Sequence, residues 1–83
     1  MSYPSPEPNA VYKIVENAGF KADILAWMEP DTLYTAQEIA EKVPSIVAAG
    51  LSVNRVGAML TQLCNEEWAE QTEDKGKNYY SLA

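Results

Sequence analysis

Residues 51–83 read LSVNRVGAMLTQLCNEEWAEQTEDKGKNYYSLA, and the fold turns on this stretch. Val53, Val56, Leu60, Leu63 and Cys64 recur at the spacing of one helical face. Ser52 stands just ahead of that stripe, where a hydroxyl can cap the first turn. Leu51 and Val56 occupy the two positions of a hydrophobic staple. The spacing predicts a helix from Ser52 to Glu66 or Glu67. The pattern then changes, and WAEQT (68–72) and NYYSL (78–82) read as strands. Asp74, Lys75 and Gly76 between them have the chemistry of a hairpin turn. Alternation puts Tyr80 and Leu82 on one face and Tyr79 on the other, with Ala69 inward. An isolated hairpin is marginal in water, so this one must pack on helices.

Upstream, Thr35 is followed three residues later by Glu38, a capping box that starts a helix from Ala36 to about Val43. Ile39, Ala40 and Val43 are its expected inward residues, and Pro44 is its expected stop. Residues 45–51 read as a linker with room for one helical turn, in which Gly50 suits a left-handed position. Leu33-Tyr34 is a candidate for a very short strand. Residues 9–28 are helical in pattern, with Val11, Val15, Ala18, Ala22 and Leu25 in a stripe flanked by Ile14 and Met28. Gly19 interrupts this run, which leaves two readings: one weakened helix, or a short helix, a break and a second helix. Pro30 ends it, and Trp27 is expected at the core or its edge. Residues 1–8 carry Pro4, Pro6 and Pro8 and read as a disordered, extended tail. The expected organisation is that tail followed by a single domain over 9–83.

Composition narrows the function. The chain has 83 residues, a net charge of −6, one cysteine and no histidine. Histidine-based acid–base catalysis, Ser-His triads and His-ligated zinc are therefore excluded. One thiol, Cys64, cannot form an intrachain disulfide or a thiolate zinc site, and it agrees with a reducing, cytoplasmic location. No apolar run approaches the roughly 20 residues of a membrane span, and MSYPSPEP lacks the layout of a secretory signal. There is no phosphate loop, dinucleotide fingerprint or nucleophile–base pair, so the expectation is a non-enzyme without cofactor or metal.

Taken together, TAQEIAEKV and VNRVGAMLTQLCNEEWAEQTEDKGKNYYSL resemble the winged helix-turn-helix domains of bacterial and phage transcription regulators. The resemblance runs from about Phe20 to Leu82. It implies an α+β, mostly α fold: a three-helix core with a C-terminal β-hairpin wing. The link over 44–51 is longer than the 3–4-residue turn of a compact helix-turn-helix, and Trp68 stands where many relatives carry a small or charged residue.

The resemblance also implies double-stranded DNA as partner. The helix after the turn would enter the major groove, which makes Ser52, Asn54, Arg55, Ala58, Thr61 and Gln62 the candidate reading residues. Arginine can pair with guanine, and asparagine or glutamine with adenine. Lys75, Lys77 and Asn78 at the wing tip would reach the backbone or the minor groove. Each also has a plainer reading, as a solvated helix residue or a soluble hairpin tip. The acidic balance opposes non-specific attraction to phosphates. It supports the alternative, an acidic winged-helix protein-interaction module with Trp68 and Tyr79 as exposed aromatics. A homodimer is a further expectation, because few cations per copy favour two copies on DNA.

Overall fold

The computed structural model describes the backbone of residues 8–83 and the side chains of residues 17–83. The tail as far as Glu7 and the side chains of Val11, Ile14 and Val15 lie outside the described residues. Six elements follow in order: α1 (Pro8–Trp27), α2 (Ala36–Lys42), α3 (Pro44–Ala49), α4 (Val53–Asn65), β1 (Ala69–Asp74) and β2 (Lys77–Leu82).

The α1 helix is continuous through Gly19, which settles the two readings in favour of one helix. Pro8, expected to end the tail, is instead the first helical residue, where a missing N–H loses no hydrogen bond. The inward stripe is rotated from the expected one. Ala18 and Ala22 are exposed, while Ile24 and Met28 are buried and Phe20, Leu25 and Trp27 pack at the core's margin. Large side chains set the phase because they bury far more apolar area than alanine does.

Thr35 Oγ1 accepts from the Glu38 N–H at 3.1 Å, and Glu38 Oε1 accepts from the Thr35 N–H at 3.3 Å, closing the capping box of α2. Pro44 ends α2 as expected, but it also begins α3 at a position that suits its fixed φ. The linker thus holds the helical turn it has room for, as a helix of six residues that starts at Pro44. Gly50 closes it at φ +66°, a left-handed position where a Cβ would be strained.

Ser52 caps α4, its Oγ accepting from the Arg55 N–H at 3.2 Å. Val56, Met59, Leu60 and Leu63 form the buried face of α4. Val53, expected on that face, is 43% exposed, and Met59, not expected there, is 1% exposed. One turn into the helix, the stripe follows 56, 59, 60 and 63, the ordinary i, i+3, i+4, i+7 face. Cys64 sits beside it, half-buried.

The exit from α4 is a Schellman motif. The Glu67 N–H donates to Cys64 O at 3.1 Å and the Trp68 N–H to Leu63 O at 2.9 Å, with Glu67 left-handed at φ +66°. The β1 and β2 strands then pair antiparallel, Ala69 opposite Leu82 through Asp74 opposite Lys77. Only Lys75 and Gly76 lie between them, at φ +52° and +79°, the signature of a type I′ turn. The Leu33-Tyr34 strand shrinks to an isolated bridge: Tyr34 exchanges backbone bonds of 2.8 and 2.7 Å with Tyr80. Leu33 is exposed.

The core is one cluster. Ile24 of α1, Met28 just beyond it, Ile39 of α2, Val43, Ile46 of α3 and the α4 face meet Tyr34, Ala69 and Tyr80. Ala69 and Tyr80 thereby anchor the hairpin to the helices. The Trp27 and Tyr34 rings meet at 5.0 Å and 52°, and the Tyr34 hydroxyl accepts from the Glu29 N–H at 3.0 Å.

Candidate nucleic-acid interface

The face of α4 opposite the core carries Asn54, Ala58, Thr61, Gln62 and Asn65, all exposed. Their spacing of i, i+4, i+7, i+8 and i+11 puts them on one side of the helix. Ser52 is exposed at its leading end, although its hydroxyl serves the cap. Thr61 Oγ1 donates to Gly57 O at 3.0 Å, so its hydroxyl proton is committed and only acceptor capacity remains. Five of the six expected reading residues therefore share an open surface. Asn65 belongs to the same face and was missed, although the repeat from Ala58 and Thr61 already pointed to it.

Arg55 lies elsewhere. Its guanidinium donates from Nη2 to Asn17 Oδ1 at 3.1 Å, and its Cζ stands 5.8 Å from the centre of the Phe20 ring. The side chain is half-buried against α1. Position 55 falls on the flank of the helix, between the open face and Met59. The cation takes the side of α1, where a carbonyl oxygen and an aromatic face stabilise it. On the same flank, three turns further along, Lys21 of α1 forms an ion pair with Glu66 at the end of α4. Helix α1 thus holds α4 through polar contacts at both ends, besides the apolar core.

With Arg55 turned aside, the open face of α4 holds no charge. The cations of the region are Lys75 and Lys77 at the hairpin tip, exposed together with Asp74 and Asn78. Near the base of the hairpin, burial pushes the Cys64 thiol up from its ordinary value, with the Glu70 carboxylate adding to the effect. Burial likewise raises Tyr80, with a smaller contribution from Cys64. Both groups stay neutral near pH 7 and sit away from the open face. The described residues contain no cluster able to hold a metal ion, and no helix of them is long and apolar enough to cross a membrane.

Three stacked helices ahead of a capped fourth, closed by a two-stranded ribbon that a bridge ties to the loop before α2, is a specific arrangement. The fold is a winged helix. It is similar to that of NolR from Sinorhizobium fredii, at a TM-score of 0.57 and 21% identity, over 100% of this chain and 82% of that one. No family model matches the chain, and no curated protein matches it either. Within the winged helix, α2 and α4 are the paired helices, α3 fills the long connection between them, and β1–β2 is the wing.

Proposed function

We propose that this winged helix is a DNA-binding transcriptional regulator that lays the open face of α4 in the major groove and sets the wing tip on the backbone. The observation that carries this reading is the exposed polar stripe on α4, the element that enters the groove in helix-turn-helix domains. Asn54 and Gln62 are the candidate base readers, through bidentate bonds to adenine. Ser52 and Thr61 offer oxygen acceptors, and Ala58 offers a methyl surface to thymine. Lys75, Lys77 and Asn78 contact phosphates. Arg55 serves in this reading as a positioning residue that fixes α4 on α1, rather than as a guanine reader. Two copies bind together, because one copy brings few cations.

Fluorescence anisotropy with genomic duplex fragments over a salt series tests the proposal. Specific binding with a shallow slope is expected: about 0.9 per phosphate neutralised, hence roughly 2 per copy from the two wing lysines. Absence of binding at low salt, or binding unaffected by Asn54→Ala and Gln62→Ala together, rejects it.

The second reading, a protein-interaction module, is favoured by one observation: Trp68 is 61% exposed, although Tyr79, the other aromatic expected at such a surface, is half-buried. Aromatics are enriched at interfaces. Partners that survive nuclease treatment in a pull-down would support this reading over the first.

A further inference from the structure

We infer that the outer edge of β1 is a docking site for an extended, lysine- or arginine-rich peptide segment, which adds to the wing as a further strand. The inference stands whether or not α4 meets DNA, since it concerns a different surface.

The geometry comes first. The sheet has the order β1–β2, with the Tyr34 bridge on the far side of β2, so the outer side of β1 is unpaired among the described residues. The two-residue turn closes on Asp74 and Lys77, and hydrogen-bonded pairs alternate from there. Asp74, Thr72 and Glu70 therefore direct their backbone groups toward β2. The Ala83 N–H donating to Trp68 O at 3.2 Å continues the same alternation. Gln71 and Glu73 are left with N–H and C=O groups facing outward. Past Ala69 every residue of β1 is exposed, so nothing among the described residues covers this edge. A row of unpaired backbone groups is a template for another strand.

Charge selects the occupant. From Glu66 to Asp74 the chain carries Glu66, Glu67, Glu70, Glu73 and Asp74 and no cation. A second copy of this edge would set like charges against each other, which is destabilising across a ladder. A cationic strand is attracted instead. Strand alternation places Trp68, Glu70, Thr72 and Asp74 on the solvent face of the ribbon. Lysines four residues apart in the incoming strand can thus meet Asp74 and Glu70, with a side-chain stem or aliphatic group over the Trp68 ring.

The test uses the full chain and two synthetic peptides of equal charge. One alternates lysine with valine; the other alternates lysine with proline, so that with its lysines opposite Glu70 and Asp74 the residues opposite Gln71 and Glu73 have no N–H to donate. Binding is followed by tryptophan fluorescence, and hydrogen exchange is read at the Gln71 and Glu73 amides by NMR. The valine peptide is expected to bind at least about tenfold more tightly than the proline peptide, to slow exchange at both amides, and to weaken by about tenfold with Glu70→Gln/Asp74→Asn. Those substitutions remove charge without altering shape, and an unchanged amide spectrum of the free variant confirms its fold. Equal binding of the two peptides, unchanged exchange at both amides, or no binding of the valine peptide would each overturn the inference.

Discussion

Arg55→Ala separates the two roles open to the cation of α4. In the structure the guanidinium donates to Asn17 Oδ1 at 3.1 Å and lies over Phe20 at 5.8 Å. A hydrogen bond from a charged donor contributes about 1.5–3 kcal/mol, and partial exposure places this one at the lower end. The contact with the ring adds about 0.5–1 kcal/mol. Removing both costs about 2 kcal/mol. For a domain of this size that lowers Tm by roughly 8–15 °C, large enough to read and small enough to leave the chain folded. A double-mutant cycle with Asn17→Ala isolates the hydrogen bond, with an expected coupling of about 1 kcal/mol. Asn54→Ala, on the open face, is the comparator and should shift stability by less than about 0.5 kcal/mol. Calorimetry or urea titration gives these values. An Arg55→Ala protein with unchanged Tm and no coupling to Asn17 would refute the positioning role and return Arg55 to the reading face.

Further substitutions probe the backbone and the half-buried thiol. Gly19 is in mid-helix with open space around it, whereas Gly50 is left-handed with equally open space. Gly19→Ala should therefore stabilise by about 0.5–1 kcal/mol, and Gly50→Ala should destabilise by about 1 kcal/mol from backbone strain alone, both measured by thermal melting. Lys75 is the non-glycine residue of the type I′ turn, so Lys75→Asn should stabilise the wing by a few tenths of a kcal/mol while reducing the salt slope of DNA binding by about 0.9. The Cys64 thiol is raised by burial, so the folded state keeps a proton that the unfolded chain releases. This contribution is whole below the ordinary thiol value and is lost as pH climbs from there toward the folded value. Urea titrations at about pH 7.5 and about pH 9.5 should show stability falling, and Cys64→Ser should lessen the fall.

Much of the architecture is legible in local chemistry. The Thr35–Glu38 box, the Ser52 cap and the Asp74-Lys75-Gly76 turn each involve residues a few positions apart, and all three form where the sequence places them. The misses arise where a residue has two physical uses or where a distant partner decides. Pro44 reads as a stop, yet the same fixed φ that ends α2 also opens α3. The α1 spacing puts Ala18 and Ala22 in its stripe, whereas the core buries Ile24 and Met28. On the open face, the family resemblance names Asn54, Ala58, Thr61 and Gln62, and their exposure follows from a spacing that keeps them off the apolar stripe. Arg55 fails to join them because its partners lie 38 and 35 positions away, and nothing in the local pattern announces a contact with Asn17 and Phe20.

The distribution of charge bears on how such a domain would work on DNA. Non-specific affinity comes from neutralising phosphates, and the proposed contact surface offers Lys75 and Lys77 on a chain of net charge −6. That term is therefore small. Base contacts must supply more than usual, and each good bidentate pair gives about 1–3 kcal/mol of discrimination. Asn54 and Gln62 together reach about 2–6 kcal/mol, at or below the roughly 4–10 kcal/mol that separates specific from non-specific binding in typical regulators. One copy falls short of a tight site, whereas two copies on adjacent half-sites double the base contacts at a salt slope of only about 4 in all. A regulator built in this way trades general attraction for discrimination. It should stay off random duplex at physiological salt and respond sharply to the loss of either half-site. Binding of one copy to a single half-site as tightly as two copies to the full site would contradict this reasoning.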